Sequence, residues 1–402
     1  MLRFALLLPL VVLVPSLAAQ TVSVPVAHRR VVPALAAIES DNAWTLAEQV
    51  SLCEIPAPPF KEAARAASFS ARLAAQGLVN IRTDTEGNVI AERPGSGGGP
   101  RVLISAHLDT VFPEGTDVSV TRTGTRYAGP GIGDDCRGLA VLLQVAKAMA
   151  GAGIQTTGDV IFVGTVGEEG EGNLRGVRHL FSAGSAGKID YFISVDGAGF
   201  DATIGAVGSH RYRITYEGPG GHSYGAFGMP NPMHAMGRAM AEIAEFKVPT
   251  SPKTTFSVGI VSGGTSVNSI PFSATMEVDL RSESQAELDR VDGLLQAAVQ
   301  AAVVAERNRW PDSQRPLTVK VEDMGKRPAG AQADSAYIAR VSLAAARAMG
   351  TTTSLSTSST DSNIPISLGV PAVTIDGGGR GGGSHSLTEW YDDGERGWQG
   401  PQ

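Results

Sequence analysis

The chain has 402 residues, and its 33 Lys and Arg against 40 Asp and Glu give a formal net charge of −7. This acidic balance argues against a nucleic-acid-binding protein, which needs a basic surface. Hydrophobic residues make up 42% and charged residues 18%, so the chain can bury a core and intrinsic disorder is excluded. At about 100–200 residues per domain, we expect two or three domains.

The first twenty residues have the composition of a secretory signal peptide. One early positive charge, Arg3, precedes a short apolar run and then small residues. Pro9 and Pro15 interrupt the run, which is shorter than the roughly 20 residues of a membrane span, so a membrane anchor is the weaker alternative. We predict a signal peptide over residues 1–19 and a periplasmic or secreted protein with no membrane association after cleavage.

The chain contains two cysteines, Cys53 and Cys136. Two cysteines cannot form the disulfide framework that stabilises small secreted domains, although a single bridge between them stays open. Because Cys136 lies inside the motif GIGDDCRG, we favour a free thiol there.

After a predicted helix over 40–53 and a Pro-rich break, helical stretches alternate with short apolar runs. Such runs between helical patterns indicate the buried strands of an α/β domain with a mixed, partly parallel sheet. The predicted strands are Val102–Ser105, Val160–Gly164, Tyr191–Val195 and Pro371–Ile375.

From about His210 to Met324 the pattern changes to β-α-β-β-α-β. The strands RYRITYE, TTFSVGIV, SATMEVDL and LTVKVE are interrupted by helices over 233–246 and 285–307. This order is typical of an α+β ferredoxin-like unit. We therefore predict an α/β domain over 20–207 and 326–402 with a second domain inserted at 208–325.

Acidic residues and histidines follow the predicted strands of the larger domain. In an open α/β sheet, ligands bind beyond the carboxyl ends of the strands, so these side chains should meet in one cleft. A further acidic pair stands where the sequence GPGIGDDCRG enters a predicted helix. The residues are His107 and Asp109, Glu168 and Glu169, Asp196, His385, and the pair Asp134 and Asp135.

Together these residues predict a metal site, although a lone His-x-Asp or Glu-Glu is more often an ordinary polar pair. Several carboxylates gathered with two histidines in a small cleft carry like charges that repel one another unless cations neutralise them. Mixed imidazole and carboxylate ligands suit Zn²⁺, with Co²⁺ or Mn²⁺ as alternatives. Since there are more carboxylates than one ion needs, we expect two ions per chain.

The ordered set SAHLDTV, GIGDDCRG, GTVGEEGEG, SVDGAG, GGHS and GSHS resembles the co-catalytic zinc peptidase and aminoacylase family. That family includes peptidase T, carboxypeptidase G, acetylornithine deacetylase and succinyl-diaminopimelate desuccinylase. The resemblance covers nearly the whole mature chain. It implies a zinc-peptidase-type catalytic domain and a lid or dimerisation role for the inserted unit, and hence a homodimer.

The resemblance also implies a role for each residue of the cluster. Asp134 would bridge two metals, with His107 and Asp196 completing one site and Glu169 and His385 the other. Asp109 would orient the imidazole of His107. Glu168 would be the general base that activates a water molecule at the metals, because it adjoins a ligand without being one. The family motif aligns its ligand with Asp134 rather than Asp135. This sequence departs from its relatives at Cys136 and Arg137, where a lysine commonly follows the acidic pair.

Three further residues are candidates for substrate binding. His222 in PGGHSYG matches the lid histidine that reaches the neighbouring subunit's site in dimeric relatives. Asn268 matches a second lid position that contacts substrate. Arg281, after EVDL, is a candidate for binding a substrate carboxylate, and a surface arginine at a strand end is its alternative.

We therefore predict an exported, dimeric metallopeptidase that cleaves amide bonds of small peptides. An N-acyl amino acid amidohydrolase with the same site is the alternative. A distant alternative is a serine hydrolase, because Gly221 to Gly225 satisfies G-x-S-x-G with Ser223 as nucleophile. The elbow needs a strand running into it and a helix running out, whereas glycines and prolines flank this segment. A third alternative is a metal-dependent binding protein that kept the fold but lost catalysis. Glu168 argues against it, because a site used only for binding does not need a free base beside the ligands.

Overall fold

The computed structural model describes residues 22–182, 184–311, 313–394 and 397, so the predicted signal peptide lies outside the described residues. Helices in this part of the chain are α1 Val31–Ser40, α2 Asn42–Cys53, α3 Ala63–Ala75, α4 Cys136–Gly151, α5 Arg175–Ser182, α6 Pro232–Ala244, α7 Gln285–Arg309, α8 Tyr337–Ala348 and α9 Asn363–Ser367. Of these described helices, none combines the length and the apolar character that crossing a membrane requires.

The strands of the first half are β1 Val79–Thr83, β2 Val89–Arg93, β3 Val102–His107, β4 Thr121–Thr123, β5 Arg126–Ala128, β6 Val160–Thr165, β7 Tyr191–Val195, β8 Ala202–Ala206, β9 Gly208–Glu217 and β10 Gly221–His222. Those of the second half are β11 Thr254–Gly263, β12 Ser269–Ile270, β13 Ser273–Ser282, β14 Thr318–Arg327, β15 Gly330–Ala331, β16 Leu355–Ser358, β17 Ala372–Ile375, β18 Arg380–Gly382 and β19 Trp390–Asp392.

A mixed sheet forms the centre of the molecule, as the sequence predicted. Its strand order is β1-β2-β6-β3-β7-β17-β8-β15, with β16 paired to β8. The four central strands β6, β3, β7 and β17 run parallel, whereas β2 and β8 flank them antiparallel. The carboxyl ends of the four parallel strands therefore meet at one edge of the sheet.

Both faces of this sheet are covered, which explains the uninterrupted apolar runs. On β6, Phe162 packs into a core with Phe69 of α3 and Leu142 of α4. Ile161 points to the opposite face and packs with Val177 of α5. Every residue of β6 is buried, as expected for a parallel strand between two helical layers.

The segment around 208–327 forms a separate four-stranded antiparallel sheet in the order β11-β13-β9-β14. Helices α6 and α7 pack against it, and the core contains Tyr216, Met276 and Leu295. Burial alternates along all ten residues of β13, so one face is apolar and the other polar. The boundaries at 208 and 325 and the lid role stay predictions. We call the segment 208–327, which contains this sheet and its two helices, the inserted unit.

Two features differ from the sequence-based expectation. The single helix predicted over 40–53 is the second of two helices, α1 and α2, which are separated at Asp41. A small sheet of short strands, in the order β18-β19-β5-β4, was not anticipated. It pairs Trp390 with Ala128 and so joins the C-terminal segment to the loop that leads to Asp134.

Candidate metal centre

His107 is the last residue of β3, and its imidazole is almost completely buried at 2% exposure. Its Nε2 lies 2.9 Å from Oδ1 of Asp134 and 3.8 Å from Oδ1 of Asp196. Its Nδ1 lies 3.0 Å from the main-chain carbonyl oxygen of Asp109. That carbonyl accepts a hydrogen bond from Nδ1–H, which leaves Nε2 facing the two carboxylates.

His385 lies on the opposite side of Asp134, in the loop after β18. Its Nε2 is 2.9 Å from Oε1 of Glu169 and 3.3 Å from Oδ2 of Asp134. The two oxygens of Asp134 therefore face two different histidines. His107, Asp134 and Glu169 each offer one ligand atom, and these atoms lie within 4.8 Å of one another.

The structure thus brings together all five predicted ligands: His107, Asp134, Glu169, Asp196 and His385. Asp196 directly follows β7, and Glu169 follows β6 after a short turn. The groups pair as the resemblance implied, with His107 and Asp196 on one side of Asp134 and Glu169 and His385 on the other. Their roles as ligands stay a prediction.

The electrostatics of these residues show how strongly acidic the cluster is. Hydrogen bonds to Asp134 and Glu169 raise the pKa of His385 to about 10. Burial alone would lower the pKa of His107, but its contacts with Asp134 and Asp196 raise it well above the usual range. Burial would raise the pKa of Asp134, but hydrogen bonds from both histidines hold it below its usual range. The carboxylates therefore favour positive charge on both histidines.

These residues fit a pair of divalent metal ions. Neutral imidazole nitrogens and carboxylate oxygens are the donors that Zn²⁺ takes, and Co²⁺ and Mn²⁺ accept the same set. Asp134 presents one oxygen to each side, as a carboxylate shared by two ions must.

Glu168 adjoins Glu169 but pairs with neither His107 nor His385. Its Oε1 accepts a hydrogen bond of 3.0 Å from Nη1 of Arg327, the last residue of β14. Nη2 of Arg327 also donates to the main-chain carbonyl of Glu168. Burial raises the pKa of the Glu168 carboxyl well above its usual range, and the charge of Arg327 opposes this shift.

Asp109 makes a different contact from the one expected. Its carboxylate lies 3.8 Å from Nδ1 of His107, too far for a hydrogen bond, and its carbonyl oxygen makes that contact instead. The carboxylate accepts hydrogen bonds from the main-chain N–H groups of Glu168, at 3.2 Å, and Glu169, at 2.8 Å. Asp109 thus contacts the imidazole through its main chain, whereas its carboxylate positions the Glu168–Glu169 turn, and its orienting role stays a prediction.

Asp135 is fully buried and faces away from the histidine side chains. Its Oδ1 accepts a hydrogen bond of 2.9 Å from Gly138 N–H, which caps helix α4, and its Oδ2 accepts one of 3.0 Å from His107 N–H. A side chain at Gly138 would collide with this carboxylate. Both carboxylate oxygens of Asp135 thus accept main-chain hydrogen bonds, so Asp134 is the member of the pair that faces the cluster.

Arg137, where the resemblance led us to expect a lysine nearby, is also buried. Its Nε donates to the carbonyl of Gly377, its Nη2 donates to that of Gly397, and its guanidinium lies 5.0 Å from the centre of the Tyr391 ring. The charge is thus held by carbonyl oxygens and an aromatic face. Arg137 links the start of α4 to the loop that leads to His385.

A cavity of about 540 Å³ opens beside the cluster. Its lining includes Asp134, Glu168, Glu169, Asp196 and His385 on one side. Three arginines of the inserted unit line it as well: Arg211, Arg281 and Arg327. Arg211 and Arg281 share the carboxylate of Asp279 at 3.1 and 2.8 Å. Arg281, the candidate for binding a substrate carboxylate, thus lines the cavity beside the cluster, and its role stays a prediction.

His222 and Asn268 lie together on the inserted unit, outside the lining of this cavity. Strand β10 pairs His222 with Ser269, and Ser223 N–H donates a hydrogen bond of 2.9 Å to the carbonyl of Asn268. Both side chains are exposed. Within one chain the structure does not bring them to the candidate metal ligands.

The chain context of Ser223 does not match a nucleophile elbow. The strand before it, β10, has two residues, and the next helix, α6, begins nine residues later at Pro232. The Nδ1 atom of the neighbouring His222 accepts the N–H groups of Tyr224 and Gly225. His385, whose place after Ser223 in the chain fits the order of a Ser-Asp-His triad, lies against Glu169 and Asp134 instead.

Sequence reasoning missed two residues at this site. Arg327 ends an amphipathic strand and could not be distinguished there from a surface arginine. Glu389 has 1% exposure and accepts hydrogen bonds from the loop that carries Asp134. The only hint in the sequence was that Glu389 stands four residues after His385. A carboxylate after a turn is usually solvated, so this position alone did not indicate a role at the site.

The family model for peptidase family M20/M25/M40 matches residues 103–396, and the chain belongs to this family. The family and the relatives named below, a carboxypeptidase and a desuccinylase, indicate a hydrolase. The predicted fold class is confirmed: a mixed α/β fold with a partly parallel sheet.

Individual relatives are distant. Carboxypeptidase G2 of Pseudomonas sp. (strain RS-16) is 26% identical over 230 residues, 54% of this chain, and the match spans about half (53%) of that enzyme. Succinyl-diaminopimelate desuccinylase of Leptothrix cholodnii is 26% identical over 284 residues, 63% of this chain and 72% of that enzyme. The YxeP protein of Bacillus subtilis, described as a dinuclear metal-binding peptidase, superposes with a TM-score of 0.61 at 18% identity, covering 88% of this chain and 94% of that one.

Proposed function

We propose that this chain hydrolyses amide bonds of small peptides at a two-zinc centre, with Glu168 as general base. The observation that carries the proposal is the arrangement around Asp134, whose two oxygens face His107 at 2.9 Å and His385 at 3.3 Å. Glu168 adjoins this arrangement without a histidine partner. The description of YxeP as dinuclear supports two ions, and the donor set supports zinc.

In this proposal each residue has one task. Asp134 would be shared by the two ions, His107 and Asp196 would hold one, and Glu169 and His385 would hold the other. When bound, the ions supply Lewis acidity, which polarises the scissile carbonyl and makes a water molecule more acidic. Glu168 accepts the proton from that water and returns it to the leaving amine.

Arg281 lies in the same cavity and is proposed to bind a carboxylate of the substrate. Its guanidinium is anchored by Asp279 through Nε, at 2.8 Å, and its terminal nitrogens are the donors that match a carboxylate. An arginine that lines the same cavity as the cluster would fix the position of the amide bond relative to the metal ligands. Peptides and N-acyl amino acids both present such a carboxylate.

An N-acyl amino acid amidohydrolase is the second candidate activity. The match to succinyl-diaminopimelate desuccinylase favours it, because that relative's name denotes removal of an acyl group. A panel of dipeptides, tripeptides and N-acyl amino acids, assayed before and after chelation, separates the two activities. Turnover of N-acyl amino acids alone would replace the peptidase proposal.

We propose a homodimer formed through the inserted unit. Strand β11 is an edge strand of its sheet, and its residues Ile260 and Val261 are more than half exposed. An exposed apolar edge strand readily pairs with a second chain. His222 and Asn268, which do not reach their own chain's cavity, would contribute to the partner's site in such a dimer.

The location outside the cytoplasm is proposed from residues 1–19 alone. Cleavage near residue 19 would leave a mature chain that begins close to Gln20. Amino-terminal sequencing of the protein purified from its native host tests this directly. A chain that still begins at residue 1 would contradict export by signal cleavage.

The substitution Glu168→Gln tests the proposed mechanism. Because glutamine cannot accept the proton, turnover should fall to background while both metal ions stay bound. The exposed Glu171, three residues later, provides the matched control, and Glu171→Gln should keep full activity. Undiminished turnover by Glu168→Gln would remove this residue as the base.

A further inference from the structure

Glu389 is a buried carboxylate whose partners are main-chain amides. Its Oε1 accepts hydrogen bonds of 2.8 Å from Gly133 N–H and 2.9 Å from Asp134 N–H. Its Oε2 accepts a third, of 3.1 Å, from Gly131 N–H. The side chain has 1% exposure. One carboxylate therefore binds three of the four residues that lead into and include Asp134.

The main chain of Glu389 binds the same loop. Its carbonyl oxygen accepts a hydrogen bond of 3.0 Å from Gly129 N–H, and the next residue, Trp390, pairs with Ala128 in the small sheet. Glu389 N–H donates to the carbonyl of Ser386, the neighbour of His385. Glu389 thus contacts the loop of Asp134 and the turn of His385 at once.

These contacts determine the relative position of two candidate metal ligands. Asp134 and His385 come from segments about 250 positions apart in the chain, yet His385 Nε2 lies 3.3 Å from Asp134 Oδ2. The carboxylate of Glu389 reaches the Asp134 main chain directly, four residues from His385. Moving that carboxylate would change the position of Asp134 relative to His385.

We infer that Glu389 is a positioning residue for the metal centre, which holds the bridging carboxylate Asp134 in register with His385. This inference rests on the proposed two-metal site. Glu389 itself would touch neither metal nor substrate. Outer residues that orient metal ligands typically affect metal affinity by about 10- to 100-fold, and that is the size of effect the inference predicts.

The substitution Glu389→Gln tests the inference with little change in volume. The amide nitrogen of glutamine would face a main-chain N–H, and since both are donors, at least one of the three hydrogen bonds is lost. Glu306 provides the matched control. It is a fully buried carboxylate of the inserted unit that accepts hydrogen bonds from Asn231 N–H and Arg238.

The readout is metal binding by metal-free protein. Zn²⁺ is titrated in competition with a chromophoric chelator, and the visible absorption spectrum of the Co²⁺-loaded protein reports ligand geometry. We expect Glu389→Gln to bind Zn²⁺ about 10- to 100-fold more weakly and to give an altered Co²⁺ spectrum. Glu306→Gln should bind like wild type even if its thermal stability falls, since a purely structural loss leaves the spectrum unchanged.

A second variant, Gly133→Ala, covers the case in which Glu389→Gln does not fold. An alanine Cβ at position 133 would lie 3.3 Å from Glu389 Oε1 and would push the carboxylate by a few tenths of an ångström. It should weaken Zn²⁺ binding less than Glu389→Gln does. If wild type binds two ions and the folded variants match its affinity and spectrum, the inference is overturned. If wild type itself does not bind two ions, the proposed function fails first.

Discussion

Nη1 of Arg327 lies 3.0 Å from Oε1 of Glu168, and both side chains are buried. Arg327 is the last residue of β14 in the inserted unit, whereas Glu168 follows β6 of the central sheet. The pair therefore connects the inserted unit to the proposed general base. Any change in the position of the inserted unit would change the electrostatic environment of Glu168.

Removing this arginine should destabilise the protein. In Arg327→Met, the carboxylate of Glu168 loses its charge partner inside a buried site, and breaking such a pair costs about 3–5 kcal/mol. We expect the free energy of unfolding of the metal-free protein to fall by that amount in a denaturant titration. The double variant Arg327→Met/Glu168→Gln should lose markedly less, because it leaves no unpaired charge. Equal losses in the single and double variants would show that the ion pair is not the cause.

Ser223→Ala should leave turnover within about twofold of wild type, since no step of the proposed mechanism uses this hydroxyl. The measurement is the initial rate on the best substrate of the panel, with a serine-directed inhibitor as a parallel check. A fall to background, together with inactivation by the inhibitor, would revive the nucleophile-elbow hypothesis and make His385 a triad member.

Asp376, which directly follows β17 and lines the cavity, should give the stability of the metal-free protein a distinct pH dependence. Burial raises the pKa of its carboxyl to about 6, and the nearby carboxylates of Asp201 and Asp196 add to the shift. The folded state holds this proton more tightly than the unfolded chain, in which the pKa of an aspartate is about 3.9. The protonated Asp376 carboxyl therefore contributes its full stabilisation below pH 4, and that stabilisation is lost as the pH rises through 6.

The variant Asp376→Asn isolates this effect. Its side-chain oxygen can still accept the N–H of Asp201, which the wild-type carboxylate accepts at 2.9 Å. We expect the variant to be more stable than wild type at pH 8. The shift in pKa sets an upper limit of about 3 kcal/mol, and the gain should be smaller because solvent screens this partly exposed group. The difference should vanish near pH 4 in thermal unfolding. A difference that does not change with pH would show that ionisation of Asp376 is not responsible.

Ile260→Lys should dissociate the proposed dimer. The side chain is 57% exposed on the edge strand β11, and a lysine there would place a charge in the interface. Light scattering at working concentration should give the mass of a dimer for wild type and of a monomer for the variant. The control, Val32→Lys, changes a similarly exposed apolar residue on α1 and should stay dimeric. A monomeric wild type would remove the role of His222 in the partner's site.

Much of the central sheet could be predicted because its strands are short apolar runs with both faces covered, as on β6. The candidate ligands could be predicted because parallel strands end at one edge, so the residue types after each run belong together. The order of strands and helices in the inserted unit could be predicted because strands such as β9 and β13 have ten residues, which is long enough to show a clear alternation of apolar and polar side chains.

The remaining features depend on contacts between distant parts of the chain. Arg327 and Glu168 are 159 positions apart, and Glu389 and Asp134 are 255 apart. The small sheet has strands of three residues, such as β5 and β19, which are too short to show a period. The residues alone could not separate Asp134 from Asp135, since only the hydrogen bonds of Asp135 to Gly138 and His107 show which one caps the helix.

The most direct test of the central claim is the metal content per chain of the purified mature protein, measured by elemental analysis and paired with activity before and after chelation. We predict about two zinc-like ions per chain, loss of turnover when they are removed and recovery when Zn²⁺ is restored. A metal-free protein whose turnover survives chelation would contradict a metal centre built on His107, Asp134, Glu169, Asp196 and His385.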